Sequence, residues 1–150
     1  MHLKKFSPED IVDVEELEKR SFEVGPYSRE ELVDLFNFPG AFNLLLYDGN
    51  RLAGYVVAVG LDEASANIES IAVDPDLHGK GIGSVLLKGI EEEMVARGYR
   101  VCVLEVREKN DQAIGFYNKH GYRASEVLEN FYSLNFKGSR HGLRLMKKLA

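Results

Sequence analysis

Three glycines at alternate positions, Gly79, Gly81 and Gly83, sit between the apolar run Ile71-Ala72-Val73 and a long helical pattern. The first turn of a helix carries unpaired N–H groups and a partial positive charge, so it attracts anions. Glycine removes the Cβ atoms that would hold a ligand away from that backbone, and Lys80 adds a full charge. The stretch Gly79, Lys80, Gly81, Ile82, Gly83, Ser84 is therefore expected to hold a phosphate or diphosphate. It is not the phosphate loop Gly-x-x-x-x-Gly-Lys-Ser/Thr. Nor is it the dinucleotide fingerprint Gly-x-Gly-x-x-Gly, whose last glycine is replaced by Ser84. The plain alternative is a turn whose glycines pack a helix. Further along, alternation in Val101–Arg107 puts Glu105 on the face of Val103. A carboxylate among apolar strand neighbours is partly desolvated, which suits it to proton transfer; its alternative is a surface pair with Arg107. Tyr117 stands two helical turns after Asn110, near the same face. A phenol is protonated at neutral pH and can donate; the alternative is a core anchor beside Phe116 and Tyr122. Asn110 itself reads equally well as a helix cap, and Cys102, pointing opposite to Glu105, reads as core.

Several elements must position these groups. His2–Phe6 reads as a short strand, followed by a helix start at Ser7-Pro8-Glu9-Asp10 with Ile11, Val14 and Leu17 on one face. Ser28-Arg29-Glu30-Glu31 is a capping box for a second helix with Leu32, Leu35 and Phe36 inward. Phe42–Tyr47 and Leu52–Leu61 read as a hairpin about Asp48-Gly49, and Asn67–Val73 as the next strand. Gly81–Arg97 is the clearest helix, with Ile82, Val85, Leu86, Ile90 and Met94 on one face and Gly98 as its stop. Tyr99–Arg107 follows as a strand, then a helix from Asn110 to His120. Tyr122–Val127, Phe131–Leu134 and Leu143–Lys147 read as closing strands. The alternation of short apolar runs with helical patterns predicts a mixed α/β fold.

The glycine segment resembles the acetyl-coenzyme-A-binding motif Gln/Arg-x-x-Gly-x-Gly/Ala of the GNAT acyltransferase superfamily, with Gly81 and Gly83 as its glycines and His78 in place of Gln or Arg. Leu104-Glu105-Val106-Arg107-Glu108-Lys109-Asn110, then Ala113-Ile114-Gly115-Phe116-Tyr117 to Gly121-Tyr122, is similar to the pattern of its N-terminal (α-amino) acetyltransferase branch. That branch includes the bacterial ribosomal-protein alanine acetyltransferases and the archaeal catalytic subunits. The resemblance implies a central, mostly antiparallel mixed sheet flanked by helices, and direct transfer of acetyl from acetyl-CoA to a protein or peptide N-terminus. It makes Ile71, Ala72 and Val73 the strand that pairs with the pantetheine arm, with an oxyanion contact near Val73. Asn110 and Tyr117 would also touch the cofactor, Glu105 would be the general base and Tyr117 the general acid. Glu23, Tyr27 and Tyr132 would line the acceptor channel. Asn67 stands where some archaeal relatives have histidine, and Lys137–Leu143 replaces an acidic stretch of relatives, unless it is only a solvated hairpin tip. The runner-up is a GNAT enzyme acting on a small-molecule amine or a lysine; the non-enzyme alternative is an acyl-CoA-binding regulatory module.

Composition narrows the rest. The 150 residues are one domain's worth, 1–150, with 45% hydrophobic and 29% charged residues. One cysteine excludes an intrachain disulfide framework and a cysteine-built zinc site, and no metal is expected. A net charge of −5 disfavours nucleic acid as a partner. No apolar run approaches the ~20 residues that span a bilayer, and Met1–Phe6 lacks the apolar run of a signal peptide. A cytoplasmic protein that does not enter membranes is expected; a ribosome or an auxiliary subunit as partner is not deducible.

Overall fold

The computed structural model describes residues 1–149. Its strands are β1 (His2–Lys4), β2 (Phe42–Asp48), β3 (Arg51–Gly60), β4 (Ser65–Val73), β5 (Val101–Arg107), β6 (Arg123–Leu128) and β7 (Gly142–Lys148). Four helices, α1 (Ile11–Ser21), α2 (Arg29–Phe36), α3 (Ile82–Ala96) and α4 (Asp111–Lys119), connect them. The strands form one sheet in the order β1-β2-β3-β4-β5-β7-β6. Every neighbouring pair is antiparallel except β4–β5, which α3 joins as a crossover. This is the mixed α/β architecture expected above.

Period-2 alternation divides the sheet's apolar residues between two cores. On β3, Val56 and Ala58 face Leu86, Ile90 and Met94 of α3 and Tyr117 of α4. Tyr55 and Val57 face Val14 and Leu17 of α1 and Leu32 and Phe36 of α2. Val85, expected inward on α3, is exposed, and Leu87 is buried in its place. The inward arc of α3 is wider than the stripe of i, i+3 and i+4 residues, because sheet and α4 both cover it.

Local chemistry decides the boundaries. β1 stops at Lys4 because the Phe6 N–H leaves the ladder for Asn43 Oδ1, 2.8 Å away. The first helix opens as a 3-10 turn, Pro8–Asp10, and the Asp10 carboxylate accepts the Ser7 N–H at 2.8 Å. The Ser28–Glu31 capping box forms as expected, with Ser28 Oγ accepting the Glu31 N–H at 3.1 Å. Phe131–Leu134, expected as a strand, is coil. Positive φ at Asn130 and Lys137 breaks the extended chain. The carbonyls of Leu134 and Tyr132 accept from the Arg107 and Arg140 guanidinium groups (2.7 and 2.8 Å) instead of from a strand partner.

Candidate active site

The parallel pair is incomplete. β4 and β5 are in register only from Ser65↔Val101 to Ile68↔Leu104, although β4 runs on to Val73 and β5 to Arg107. Beyond that point the two strands leave an opening in the middle of the sheet. The bulge on β4 between Ile68 and Ser70 lies where the pairing ends. The Asp74 N–H donates to Ala53 O on the β3 side at 2.8 Å. By alternation, Ala72 pairs with β3 while the N–H groups of Ile71 and Val73 turn to the opening. Ala72 thus offers the opening nothing: its backbone is spent on Tyr55 and its side chain is buried in the α1–α2 core. The expectation for Ile71-Ala72-Val73 narrows to Ile71 and Val73.

On the α3–α4 side the opening continues into a cleft of about 530 Å³. Ile71, Val73, His78, Gly79, Gly81, Ile82, Gly83, Ser84, Asn110 and Tyr117 line it, so most of the expected cofactor residues converge. Gly79 and Gly81 have φ of 80° and 76°, and no heavy atom lies within 4 Å of where a Cβ would stand. The α3 N-terminus has no side-chain cap and no acidic residue in its first turn. Its free N–H groups and the bare glycine backbone fit an anion such as the diphosphate of acyl-CoA. Gly83 has a different reason: a Cβ there would meet the Phe116 ring at 3.2 Å, so it lets α4 approach α3. Lys80 is exposed and does not line the cleft, whereas Lys119 does. Sequence reasoning missed Lys119, though it follows Phe116 by one helical turn. Asn110 fills both readings, capping α4 through Oδ1 (3.1 Å from the Ala113 N–H) while lining the cleft.

Tyr117 is both core and cleft. It packs against Phe116 and Tyr122, and burial, reinforced by Cys102 and Tyr132, pushes its phenol up. Glu105 projects to the other face of the sheet. It pairs across to β7, where Arg144 Nε reaches Oε2 at 3.1 Å and the same guanidinium also holds Glu126. The expected apolar setting is thus modified by a cation, and Arg107 is not the partner. Arg107 instead stacks over Tyr132, 4.1 Å from the ring centroid. Cys102 is buried on the α3–α4 side, and burial raises its thiol to about 12. Asn67 is buried, its amide donating to Glu69 Oε1 at 3.0 Å and to Ile68 O.

The wall facing Glu105 comes from the α1–α2 loop and the 129–141 loop. Tyr27 is partly buried; burial pushes its phenol up, and Glu69, Glu18 and Glu31 add to that. Tyr132 is pushed up to about 12, mainly by burial, with Glu105 and Tyr27 adding and Arg107 opposing. Tyr132 therefore sits within electrostatic reach of both Glu105 and Tyr27. Glu23 is exposed. Beneath this wall lies a group that sequence reasoning missed, the buried Glu18, which accepts the Tyr27 N–H at 2.9 Å and the Tyr55 hydroxyl. Tyr55 also meets Ser70 of β4 at 2.9 Å. Burial raises the Glu18 carboxyl against the pull of those donors. Its signal was available: a glutamate one turn after Val14, on the apolar face of α1. Among the described residues there is no cluster of three or more metal-ligating side chains and no helix long and apolar enough to cross a membrane.

The family described as acetyltransferase (GNAT) matches residues 11–122. An uncharacterised N-acetyltransferase of Methanocaldococcus jannaschii is 34% identical over 134 residues, 88% of this chain and 84% of that protein. The ribosomal protein bS18-alanine N-acetyltransferase of Salmonella typhimurium is 37% identical over 91 residues, 60% of each. The crystal structure of the ribosomal-protein-S18-alanine N-acetyltransferase from Escherichia coli superposes with a TM-score of 0.88 at 25% identity, covering 99% of this chain and 94% of that one.

Proposed function

The chain belongs to the acetyltransferase (GNAT) family, and from that premise we propose that it transfers acetyl from acetyl-CoA to the N-terminal α-amine of a protein or peptide. The observation that carries this reading is the two-sided opening between β4 and β5. A glycine backbone suited to anions and Tyr117 lie on one side, and Glu105, with Tyr132 within its electrostatic reach, on the other. Acetyl-CoA supplies an activated acetyl group as a thioester. Gly79, Gly81, Ile82, Gly83 and Ser84 hold its diphosphate, and the Ile71 backbone and Asn110 align its arm. The Val73 N–H donates toward the carbonyl oxygen, where negative charge grows during attack. Glu105 has one oxygen on Arg144 and offers the other to the incoming amine, directly or through water. Tyr117, kept protonated by burial, gives its proton to the departing sulfur. Positioning of the two reactants supplies much of the remaining rate.

The α-amine is favoured over lysine by its chemistry. With a pKa of ~8 it is about 10% neutral at pH 7, while lysine at ~10.4 is well below ~0.1% neutral. Tyr27 of the α1–α2 loop and Tyr132 of the 129–141 loop support a slot that admits an extended chain end. The relatives named for ribosomal protein bS18 and S18 agree with a protein substrate, and such a substrate places the enzyme in the cytoplasm. The test offers a peptide bearing both a free N-terminus and a lysine, with acetyl-CoA, and reads the product by mass spectrometry. Acetyl on the N-terminus supports the proposal. Acetyl on lysine alone, or reaction only with small polyamines, overturns it.

A further inference from the structure

Ser84, assigned above to the cofactor's diphosphate, pairs with His120, a residue that the reading above leaves unused. His120 follows the last residue of α4 and is partly buried. Its Nδ1 lies 2.8 Å from Phe116 O, and its Nε2 lies 2.9 Å from Ser84 Oγ. A carbonyl only accepts, so Nδ1 carries a proton and the tautomer is fixed. In the neutral ring Nε2 is then a lone pair and must accept the Ser84 hydroxyl proton. Ser84, in the first turn of α3 and lining the cleft, is left with only oxygen lone pairs to face an incoming anion. Protonation of Nε2 reverses the bond: Nε2–H donates to Ser84 Oγ, and the hydroxyl proton is free to turn into the cleft.

We propose that His120 is a positioning residue for the cofactor: acyl-CoA binding draws a solvent proton onto its Nε2, and Ser84 thereby becomes a hydroxyl donor to the cofactor's diphosphate. The inference rests on the cofactor reading given above. The proton balance is simple, since one proton enters from solvent and no covalent bond changes. Binding is expected to weaken as protons for Nε2 become scarcer in solution. Charged residues stand on the elements that carry the pair and on the neighbouring strand. Lys119 precedes it on α4, and Lys88 and Glu91 lie one and two turns after Ser84 on α3. Lys147 of β7 runs beside Gly121. Glu91 is already engaged by Tyr122 and Lys147 (2.7 and 2.9 Å). The incoming diphosphate is the anion that completes the site, and a donor strengthened by a cation behind it outperforms a neutral hydroxyl.

Calorimetric titration of CoA into the wild-type protein, His120→Gln and Ser84→Ala, near pH 7.5 in buffers of different ionisation enthalpy, reads the protons taken up. The wild type is expected to take up more protons than His120→Gln, by up to one per CoA bound, and to bind roughly tenfold tighter than Ser84→Ala. Subtracting the His120→Gln value removes contributions from His78 and from the cofactor's own phosphate. NMR titration of the His120 ring in the wild type, with and without CoA, needs no variant and is expected to show a higher midpoint with CoA. CoA binding with equal proton uptake in wild type and His120→Gln, or an unmoved His120 midpoint, overturns this inference and leaves the cofactor reading standing. No binding of CoA by the wild type overturns both.

Discussion

Glu105, proposed above as the base, has one carboxylate oxygen on Arg144, and that ion pair holds it in place. Glu105→Gln preserves shape and removes the proton acceptor, so kcat/KM for the peptide is expected to fall by ~10²–10⁴ with CoA affinity unchanged. The pH–rate profile checks it, because a structural role alone would lower stability and leave the profile in place. Tyr117 needs a finer substitution, since its ring is part of the α3–α4 core. Tyr117→Phe keeps the ring and deletes the acid. A fall in kcat of roughly 10² or more, with an unchanged unfolding midpoint, separates catalysis from packing. Glu18 acts at one remove. Replacing it by Ala leaves the Tyr27 N–H without its acceptor and the Tyr55 hydroxyl with Ser70 alone, a loss of about 1–3 kcal/mol of stability readable in urea denaturation.

Among elements, the 129–141 loop shows where sequence reading stops. The helix start at Ser7, the Ser28–Glu31 capping box, the α3 helix and the strand before the glycines were legible because they rest on local patterns among residues a few positions apart. The same holds for the glycine segment, most of which reached the cleft. What was not legible depends on partners distant in sequence. Phe131–Leu134 has the composition of a strand, yet Arg107, 27 residues before Leu134, takes the carbonyl that a strand partner would use. Gly83 was expected beside an anion, and its closest neighbour is the ring of Phe116 on another helix. Arg144 could not be assigned to Glu105 without the β5–β7 register. Arg107 therefore holds the loop that carries Tyr132, the proposed acceptor wall, as well as ending β5. Arg107→Ala removes its bond to Leu134 O and its stacking on Tyr132. The expected outcome is a severalfold higher KM for peptide with the CoA dissociation constant unmoved; steady-state kinetics and a CoA titration check the two halves separately.

For the molecule as a whole, the sheet is strongest where it is continuous and open where it is proposed to work, and both ends of that statement can be measured. The turn that delivers β4 to the glycine loop is tied by Asp74, which is fully buried and bonded to Arg51 at 2.6 Å and to Arg20. Burial works to raise its carboxyl, but the Asp76 N–H, Arg51 and Arg20 outweigh it and hold it below the usual range. A depressed carboxyl contributes stability above its unfolded pKa of ~3.9 and loses it as pH falls through the folded value. Asp74→Asn is thus expected to be less stable than wild type at pH 7 and to converge with it only once the pH has fallen below the depressed folded value. The two arginines are about half exposed, so the neutral-pH loss is roughly 1–3 kcal/mol, below the 3–5 of a fully buried pair. At the centre of the sheet the opposite holds. Past Ile68 and Leu104 nothing bridges β4 to β5, so the Ile71 and Val73 amides face the opening, and the amides of Ile82, Gly83 and Ser84 lack helical acceptors. Such amides exchange with solvent through small local motions rather than by global unfolding. A CoA molecule lying in the opening would cover them, and at 100 times its dissociation constant would add about 2.7 kcal/mol to global stability. Hydrogen exchange by NMR is therefore expected to show slowing at Ile71, Val73 and Ile82–Ser84 well beyond that global increment, with the β1–β2 amides changing by the increment alone. Uniform slowing across the sheet would mean that CoA binds elsewhere and stabilises the fold only by mass action, which would remove the opening from the site.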